Sequence, residues 1–160
     1  MDENVLRRHL VSLLTSKNAH ASFEAVVRDF PEELRGVRPE GQAHTAWRLL
    51  EHLRIAQWDI LEFCRDAEHV SPDWPEGYWP AEDAPPDRDA WDRSLTAFRR
   101  DLEAMCELVN DPERDLAVPV PWGDGPSILH ETLLVADHNA YHLGQLVTLR
   151  QLLGAWPPGT

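Results

Sequence analysis

Residues 127–153 read SILHETLLVADHNAYHLGQLVTLRQLL, a stretch without proline in which leucine and valine recur at intervals of three and four residues. This spacing places apolar side chains along one side of an α-helix. Ser127 is a favoured residue at the start of a helix, and Gly154 followed by prolines is typical of a helix end. The stretch therefore predicts one long helix from Ser127 to Leu153.

Three other stretches of the chain have the same helical periodicity and are separated by glycine and proline. A short turn of helix is also predicted, from Ser22 to Asp29, where Phe30 and Pro31 end it. The three longer helices are predicted from Asp2 to about Lys17, from Gln42 to Glu68 and from Arg88 to Asn110.

The segments between the helices contain little that could form a sheet. Residues 70–87, VSPDWPEGYWPAEDAPPD, are rich in proline, which excludes regular structure. Alternation of β-branched residues occurs only in LAVPV, where Pro119 interrupts it. Four long helices without a sheet predict an all-α protein, a four-helix bundle with long proline-rich connectors. At 160 residues we expect one domain, residues 1–160.

Charge and cysteine content restrict the partners and the location of the protein. With 28 acidic and 15 basic residues the net charge is −13, which disfavours binding to nucleic acid and to anionic membranes. The N-terminal sequence mixes charges with short apolar runs, so we expect neither a signal peptide nor a membrane span. Cys64 and Cys106 are too few for a disulfide framework, and we interpret both as buried small hydrophobic residues in a cytoplasmic protein.

Two histidines of the predicted fourth helix, His138 and His142, are four residues apart and therefore about 40° apart around the helix axis. They share an apolar face, so we expect both imidazoles to point into the bundle. In the second helix His52 lies on a similar face, and because that helix is apolar on two sides we expect it to be central. The neighbours within about 60° of His138 are Leu134, Val135, Gln145, Leu149, Leu152 and Leu153, and those of His52 are Leu49, Ala56, Asp59 and Phe63.

Three inward imidazoles on two helices are difficult to satisfy inside a core, because each neutral ring needs both a donor and an acceptor as partners. A shared cation would take one nitrogen lone pair from each ring, while the other ring N–H donates to a neighbouring acceptor. Three ligands leave at least one coordination position open, which is typical of a reactive site. The alternative stays open that each is an ordinary core histidine without a metal.

The stretch ADHNAYHLGQLVTLRQLLGAW, residues 136–156, taken with HTAWRLLEHLRIAQWDILEF, residues 44–63, resembles the DinB-like (DNA-damage-inducible, YfiT-like) family of metal-binding four-helix bundles. The resemblance spans nearly the whole chain and is most specific in the H-x-x-x-H-x-G-Q element. It implies metal-binding roles for His52, His138 and His142. It also implies a divalent metal, most often zinc or nickel, and a homodimer.

The resemblance leaves the substrate and the catalytic residues unknown, because relatives differ in function. Some are transferases or isomerases that use a small thiol cofactor, and many carry only the description of metal-dependent hydrolase. A metal could lower the pKa of a water molecule to about 7 or deprotonate a thiol. One hypothesis is therefore a metal-dependent hydrolase or small-thiol-dependent transferase, favoured by the lack of an evident fourth ligand. The alternative is a non-catalytic metal-binding bundle that acts through dimer or partner contacts.

Polar residues near the three histidines are candidates for a pocket. Asp59 lies two turns after His52 on the same face and could accept a hydrogen bond behind a ligand or serve as a pocket acid. Arg48, one turn before His52, could hold an anionic substrate group. The alternative for both residues is a side chain without a role in the site, either in an ion pair at the edge of the bundle or with its charged end in solvent. Gln145 or Glu131 could orient an imidazole, although Gln145 could equally be a packing residue.

The remaining histidines and the connector tryptophans receive weaker interpretations. His130 is expected at the rim of the site. His130 and Glu131 begin an H-E-x-x-H motif, but Leu134 occupies its last position, which excludes that metalloprotease site. We expect solvated side chains for His9, His20, His44 and His69, and we expect Trp74, Trp79 and Trp122 to cap the bundle or line the mouth of a pocket.

Overall fold

The computed structural model of the protein describes residues 2–15, 19–123 and 125–158. Within these residues it contains five α-helices and two 3-10 turns, and its only extended pairing is an isolated bridge between Pro119 and Ser127. The prediction of an all-α protein is confirmed. The helices are α1 (Glu3–Thr15), α2 (Phe23–Val27), α3 (Ala46–Arg65), α4 (Ala90–Asn110) and α5 (Ile128–Leu152), and the 3-10 turns are Glu32–Leu34 and Glu76–Tyr78.

The helix α3 is shorter at both ends than the sequence pattern predicts. The backbone of Thr45 is extended, and its hydroxyl accepts a hydrogen bond from the Arg48 N–H at 3.2 Å, so the helix begins after Thr45 and not at Gln42. At the other end Asp66 is again extended. A run without glycine or proline permits a helix, but the capping side chain decides where the helix starts.

The other helix ends lie within two residues of the predictions, α4 ends at Asn110 as predicted, and two of the starts are also set by serine caps. Ser22 accepts a hydrogen bond from the Ala25 N–H and Ser127 accepts one from the His130 N–H, each at 3.3 Å. The short α2 therefore lies inside the predicted turn, and α5 begins one residue after Ser127. The predicted end of the first helix at Lys17 lies outside the described residues.

Helix α3 lies between α4 and α5, which confirms the prediction that it is central. Apolar residues on both of its sides are buried, and Gln57 between them is also fully buried. The Gln57 amide donates to the carbonyl oxygen of Phe98 on α4 at 2.7 Å and accepts from Asn139 on α5 at 3.0 Å. One side chain therefore links three helices. The main core around it contains Leu49, Leu50, Leu53, Trp91, Phe98, Leu143, Leu146 and Leu149.

The orientation of α5 differs from the prediction. Leu134 and Leu152 are 42% and 55% exposed, although both were expected on the inward face beside His138. His142 is buried, whereas His138 is half-buried at the edge of the inward face. The physical reason is that α5 has apolar side chains on nearly every side, so hydrophobicity alone cannot fix its rotation. Among the described residues no helix has the length and apolarity needed to cross a bilayer.

The connection between α3 and α4 folds back over α3. Thr45 donates its hydroxyl to the carbonyl oxygen of Asp83 at 2.6 Å, and Tyr78 donates its hydroxyl to Asp59 at 2.6 Å. Gly36 allows close approach of this connection, because a Cβ atom there would lie 2.5 Å from the Ala84 Cβ. These contacts place the connector along α3, from its cap at Thr45 to Asp59.

Both cysteines are free. Cys64 is buried, and burial raises the pKa of its thiol to about 12. Cys106 is half-buried, and burial raises the pKa of its thiol to about 11. Both remain protonated at neutral pH, as expected of small apolar residues and not of nucleophiles.

Candidate metal centre

Three imidazole rings meet at the interface of α3 and α5. The Nε2 atom of His52 lies 3.0 Å from the Nε2 atom of His138 and 3.1 Å from that of His142. His52 projects from the middle of α3, and the other two project from successive turns of α5. The fold therefore brings together residues that are 86 and 90 positions apart in the chain.

The other ring nitrogens show which atoms carry protons. His52 Nδ1 lies 2.9 Å from the carbonyl oxygen of Tyr78, and because a carbonyl can only accept, Nδ1 is the protonated atom. His142 Nδ1 lies 2.7 Å from Gln145 Oε1, which likewise accepts. In each neutral ring the Nε2 atom then has a free lone pair. The lone pairs of His52 and His142 are thus directed at the same small volume.

Burial keeps these rings uncharged at neutral pH. Removal from water lowers the pKa of His52 to about 4 and that of His138 to about 4, and it also lowers the pKa of His142. Protonating one ring would place a positive charge in a poorly solvated site, and protonating a second ring would add repulsion between the two charges. The three rings are therefore nitrogen donors and not a charged cluster.

The donor set fits a divalent transition metal. Nitrogen lone pairs about 3 Å apart repel unless a proton or a cation lies between them, and the protons of His52 and His142 are on the opposite ring atoms. All ligand atoms of the three histidines lie within 4.8 Å of one another. Within residues 2–15, 19–123 and 125–158 no carboxylate or thiol joins this group. Neutral imidazoles suit zinc, nickel and copper better than calcium or magnesium.

Trp79 covers one side of the site. Its indole stacks on the His52 ring at a centroid distance of 3.9 Å and an angle of 3°, and on the His44 ring at 4.1 Å and 11°. The tryptophan therefore lies between two imidazoles and fixes the plane of His52. The other connector tryptophans, Trp74 and Trp122, are 74% and 41% exposed.

Asp59 does not touch the imidazole cluster directly. Its carboxylate accepts from the Tyr78 hydroxyl at 2.6 Å and lies 2.7 Å from His69 Nε2. Since the backbone carbonyl of Tyr78 receives the His52 N–H, Asp59 acts on His52 through the position of Tyr78. Asp59 thus anchors the connector at two points, which the sequence did not suggest.

Gln145 and Arg48 occupy different positions relative to the site. Gln145, and not Glu131, contacts a ligand ring, through the bond to His142. Arg48 lies at the site edge with its Cζ atom 5.7 Å from the Trp79 ring centroid. Its Nη1 atom is 3.7 Å from an Asp83 carboxylate oxygen.

Two histidines expected to be solvated are not, and that interpretation was wrong for them. The His69 side chain is 8% exposed and is paired with Asp59, and His44 is half-buried against Trp79. Both residues lie outside α3, and their burial depends on the connector folding back, which leaves no periodic signal in the sequence. His9, His20 and His130 are exposed, as expected.

A family model described as the DinB superfamily matches residues 17–146. The chain belongs to the DinB superfamily. This match covers most of the chain, including His52, His138 and His142, and it agrees with the all-α architecture. Comparison with curated proteins and with solved structures finds no match.

A separate cavity of about 580 Å³ lies on another face of α5. Its wall includes Phe23, Phe98 and Leu143, and the Glu24–Arg99 ion pair lies at its edge. None of the three clustered histidines lines it. Size alone would place the functional site of this DinB protein in that cavity, but convergent ring nitrogens are the stronger chemical signal.

Replacing Gln145 with leucine is expected to weaken zinc binding about 10- to 100-fold, because the His142 N–H loses its acceptor and the ring loses its fixed orientation. The measurement is a competition titration against a chromophoric zinc chelator. Gln151→Leu, an exposed change on the same helix, is the matched control and should leave the affinity unchanged. Equal affinity for Gln145→Leu and the wild type would show that Gln145 does not orient the ligand.

Proposed function

We propose that this DinB protein is a divalent-metal-dependent enzyme, acting as a hydrolase or as a small-thiol-dependent transferase. The observation that carries the proposal is the convergence of three imidazole Nε2 atoms without a fourth protein donor among the described residues. A closed structural site has four protein ligands, whereas a three-ligand site leaves a position for water or substrate.

His52, His138 and His142 would hold the metal. When bound, a divalent cation supplies Lewis-acid chemistry, lowering the pKa of a water molecule or of a thiol. Tyr78 and Gln145 keep two of the rings in the tautomer whose Nε2 lone pair is free. Trp79 excludes water from one side of His52.

Zinc or nickel is proposed as the metal, supported by an all-imidazole donor set. The proposal includes a reducing, cytoplasmic location, which the two free cysteines support. It also includes a homodimer, supported by exposed apolar side chains on α5, with sedimentation equilibrium as its test. The exposed residues are Leu133, Leu134, Tyr141 and Leu152.

The alternative function is a non-catalytic bundle in which the metal joins α3 to α5. The two functions differ in the expected stability of the metal-free protein. A structural metal contributes several kcal/mol to folding, so its loss would unfold the domain. Loss of a catalytic metal at the edge of an otherwise complete core would leave the domain folded.

The deciding experiment compares the wild type with His138→Ala, with and without zinc. We expect both the metal-free wild type and the variant to be folded at 25 °C and to melt within about 4 °C of each other, because about 1 kcal/mol shifts the midpoint by roughly 2–4 °C in a domain of this size. Turnover is followed with p-nitrophenyl acetate for hydrolysis and with a small thiol plus 1-chloro-2,4-dinitrobenzene for transfer. Only the zinc-loaded wild type should show turnover.

The exposed change His130→Ala serves as the control, since it removes an imidazole from the same helix outside the cluster. The enzyme proposal fails if zinc binds, turnover is absent with both probes, and the metal-free wild type is unfolded at 25 °C. That combination would support the structural alternative.

A further inference from the structure

Two guanidinium groups share one carboxylate oxygen at the edge of the three-histidine cluster. Arg38 Nη2 lies 2.5 Å from Asp83 Oδ1, and Arg48 Nη1 lies 3.7 Å from the same atom. The shorter distance means that the Asp83 carboxylate pairs mainly with Arg38. Arg48 is therefore poorly neutralised, although the chain as a whole has a net charge of −13.

The other contacts of Arg48 are also long. Its Nη1 atom lies 3.5 Å from the carbonyl oxygen of Ala81, the outer limit of a hydrogen bond, and its Cζ atom lies 5.7 Å from the Trp79 ring centroid. The side chain is 21% exposed. A guanidinium has five N–H donors, so several of them remain available to a ligand.

Arg48 lies on the same face of α3 as His52, one of the three clustered histidines. Arg48 precedes His52 by four residues on α3, so the two side chains are neighbours on one face of the helix, about 6 Å apart along its axis. Arg48 also lies in the first turn of α3, where the helix dipole favours negative charge. An anionic group near Arg48 would thus lie on the same face of α3 as His52, at the edge of the Trp79 indole that covers the cluster.

His44 supplies a second polar group in the same place. Its Nδ1 atom is buried and has no hydrogen-bond partner, and its ring is stacked on Trp79. Besides burial, the positive charges of Arg48 and Arg38 lower the pKa of His44, so both arginines act on this ring. An unsatisfied buried ring nitrogen beside a weakly paired guanidinium is unfavourable unless a ligand completes the site.

We propose that Arg48 and His44 form a subsite for a carboxylate group of the substrate, beside the three-histidine cluster. Arg38 and Arg48 together carry two positive charges against the one negative charge of Asp83, and the remaining single positive charge suits a carboxylate better than a phosphate dianion. This inference rests on the proposed function, because it names the substrate class of the same site.

The test uses two metal-binding probes that differ in one carboxylate, acetohydroxamate and succinic monohydroxamate. With zinc-loaded wild type, calorimetry should show about 10-fold tighter binding of the carboxylate probe, the size of one charge-assisted hydrogen bond. Arg48→Ala should reduce this ratio to about one. Arg65→Ala, at the far end of α3, is the matched control and should keep the ratio.

A second variant separates a binding role of Arg48 from a structural one. Asp83→Asn removes the competing carboxylate, so the preference for the carboxylate probe should rise several-fold. If Arg48 only ties the connector to α3, both variants will change the affinities for the two probes equally, and the proposal is overturned.

A metal-free measurement keeps this test independent of the proposed function. Titration of acetate into the metal-free wild type should shift the NMR signals of the Arg48 side chain and the His44 ring, and Arg48→Ala should abolish the His44 shift. If the wild type does not bind zinc but acetate produces both NMR shifts, the metal proposal alone is overturned. Zinc binding without any shift and without a carboxylate preference would overturn the subsite alone.

Discussion

Replacing His52 with alanine is expected to abolish stoichiometric zinc binding, with a loss of affinity of more than about 100-fold. Removing an outer partner of a metal ligand already costs about 10- to 100-fold, and loss of the ligand itself costs more. His52 is the critical ligand because its Nε2 atom is the one in contact with both other Nε2 atoms. Without it, α3 contributes no donor to the cluster. Elemental analysis after dialysis, followed by chelator competition, measures the effect.

The control for His52→Ala is His69→Ala, which removes another buried imidazole next to α3 that is paired with Asp59. It should keep one zinc per chain. Retention of zinc by His52→Ala at wild-type affinity would show that the metal does not bind where the three rings meet.

Replacing Arg150 with alanine is expected to lower the free energy of unfolding by about 4 kcal/mol, since each hydrogen bond to a charged group contributes about 1.5–3 kcal/mol and buried acceptors lose their partner. The side chain is 1% exposed. It donates to the carbonyl oxygens of Val26, Arg28 and Ala155 at 2.7 to 2.9 Å. Urea denaturation monitored by circular dichroism measures the change.

Arg99→Ala is the control for the Arg150 prediction. Arg99 makes a close ion pair with Glu24 at 2.7 Å, but both side chains are about half exposed, so the loss should be below about 1 kcal/mol. If the two variants lost similar amounts of unfolding free energy, burial would not be the reason why Arg150 stabilises the fold.

The local part of the site could be predicted from the sequence. His138 and His142 share a face because they are four residues apart in a helix, and this holds wherever that helix packs. The burial of His52 followed from a helix that is apolar on two sides, and α3 is central as predicted. The rotation of α5 could not be predicted, because Leu133 and Leu134 are apolar yet exposed.

The surroundings of the imidazoles could not be predicted from periodicity. Tyr78 and Trp79 lie in a connector that the sequence describes only as proline-rich, yet they provide the acceptor for His52 and the ring stacked on it. Asp59 was recognised from its helix face, but its partners, His69 and Tyr78, come from the connector. These contacts arise from the path of the chain outside the helices.

The sequence by itself determined that four long helices form and which histidines share a helix face, because these depend on interactions between residues within four positions of one another. The tertiary structure decided that His52 meets His138 and His142, that Trp79 covers them, and that Arg150 is buried. Those features depend on which apolar faces pack together and on where a proline-rich connector crosses them, and many arrangements satisfy the same local pattern.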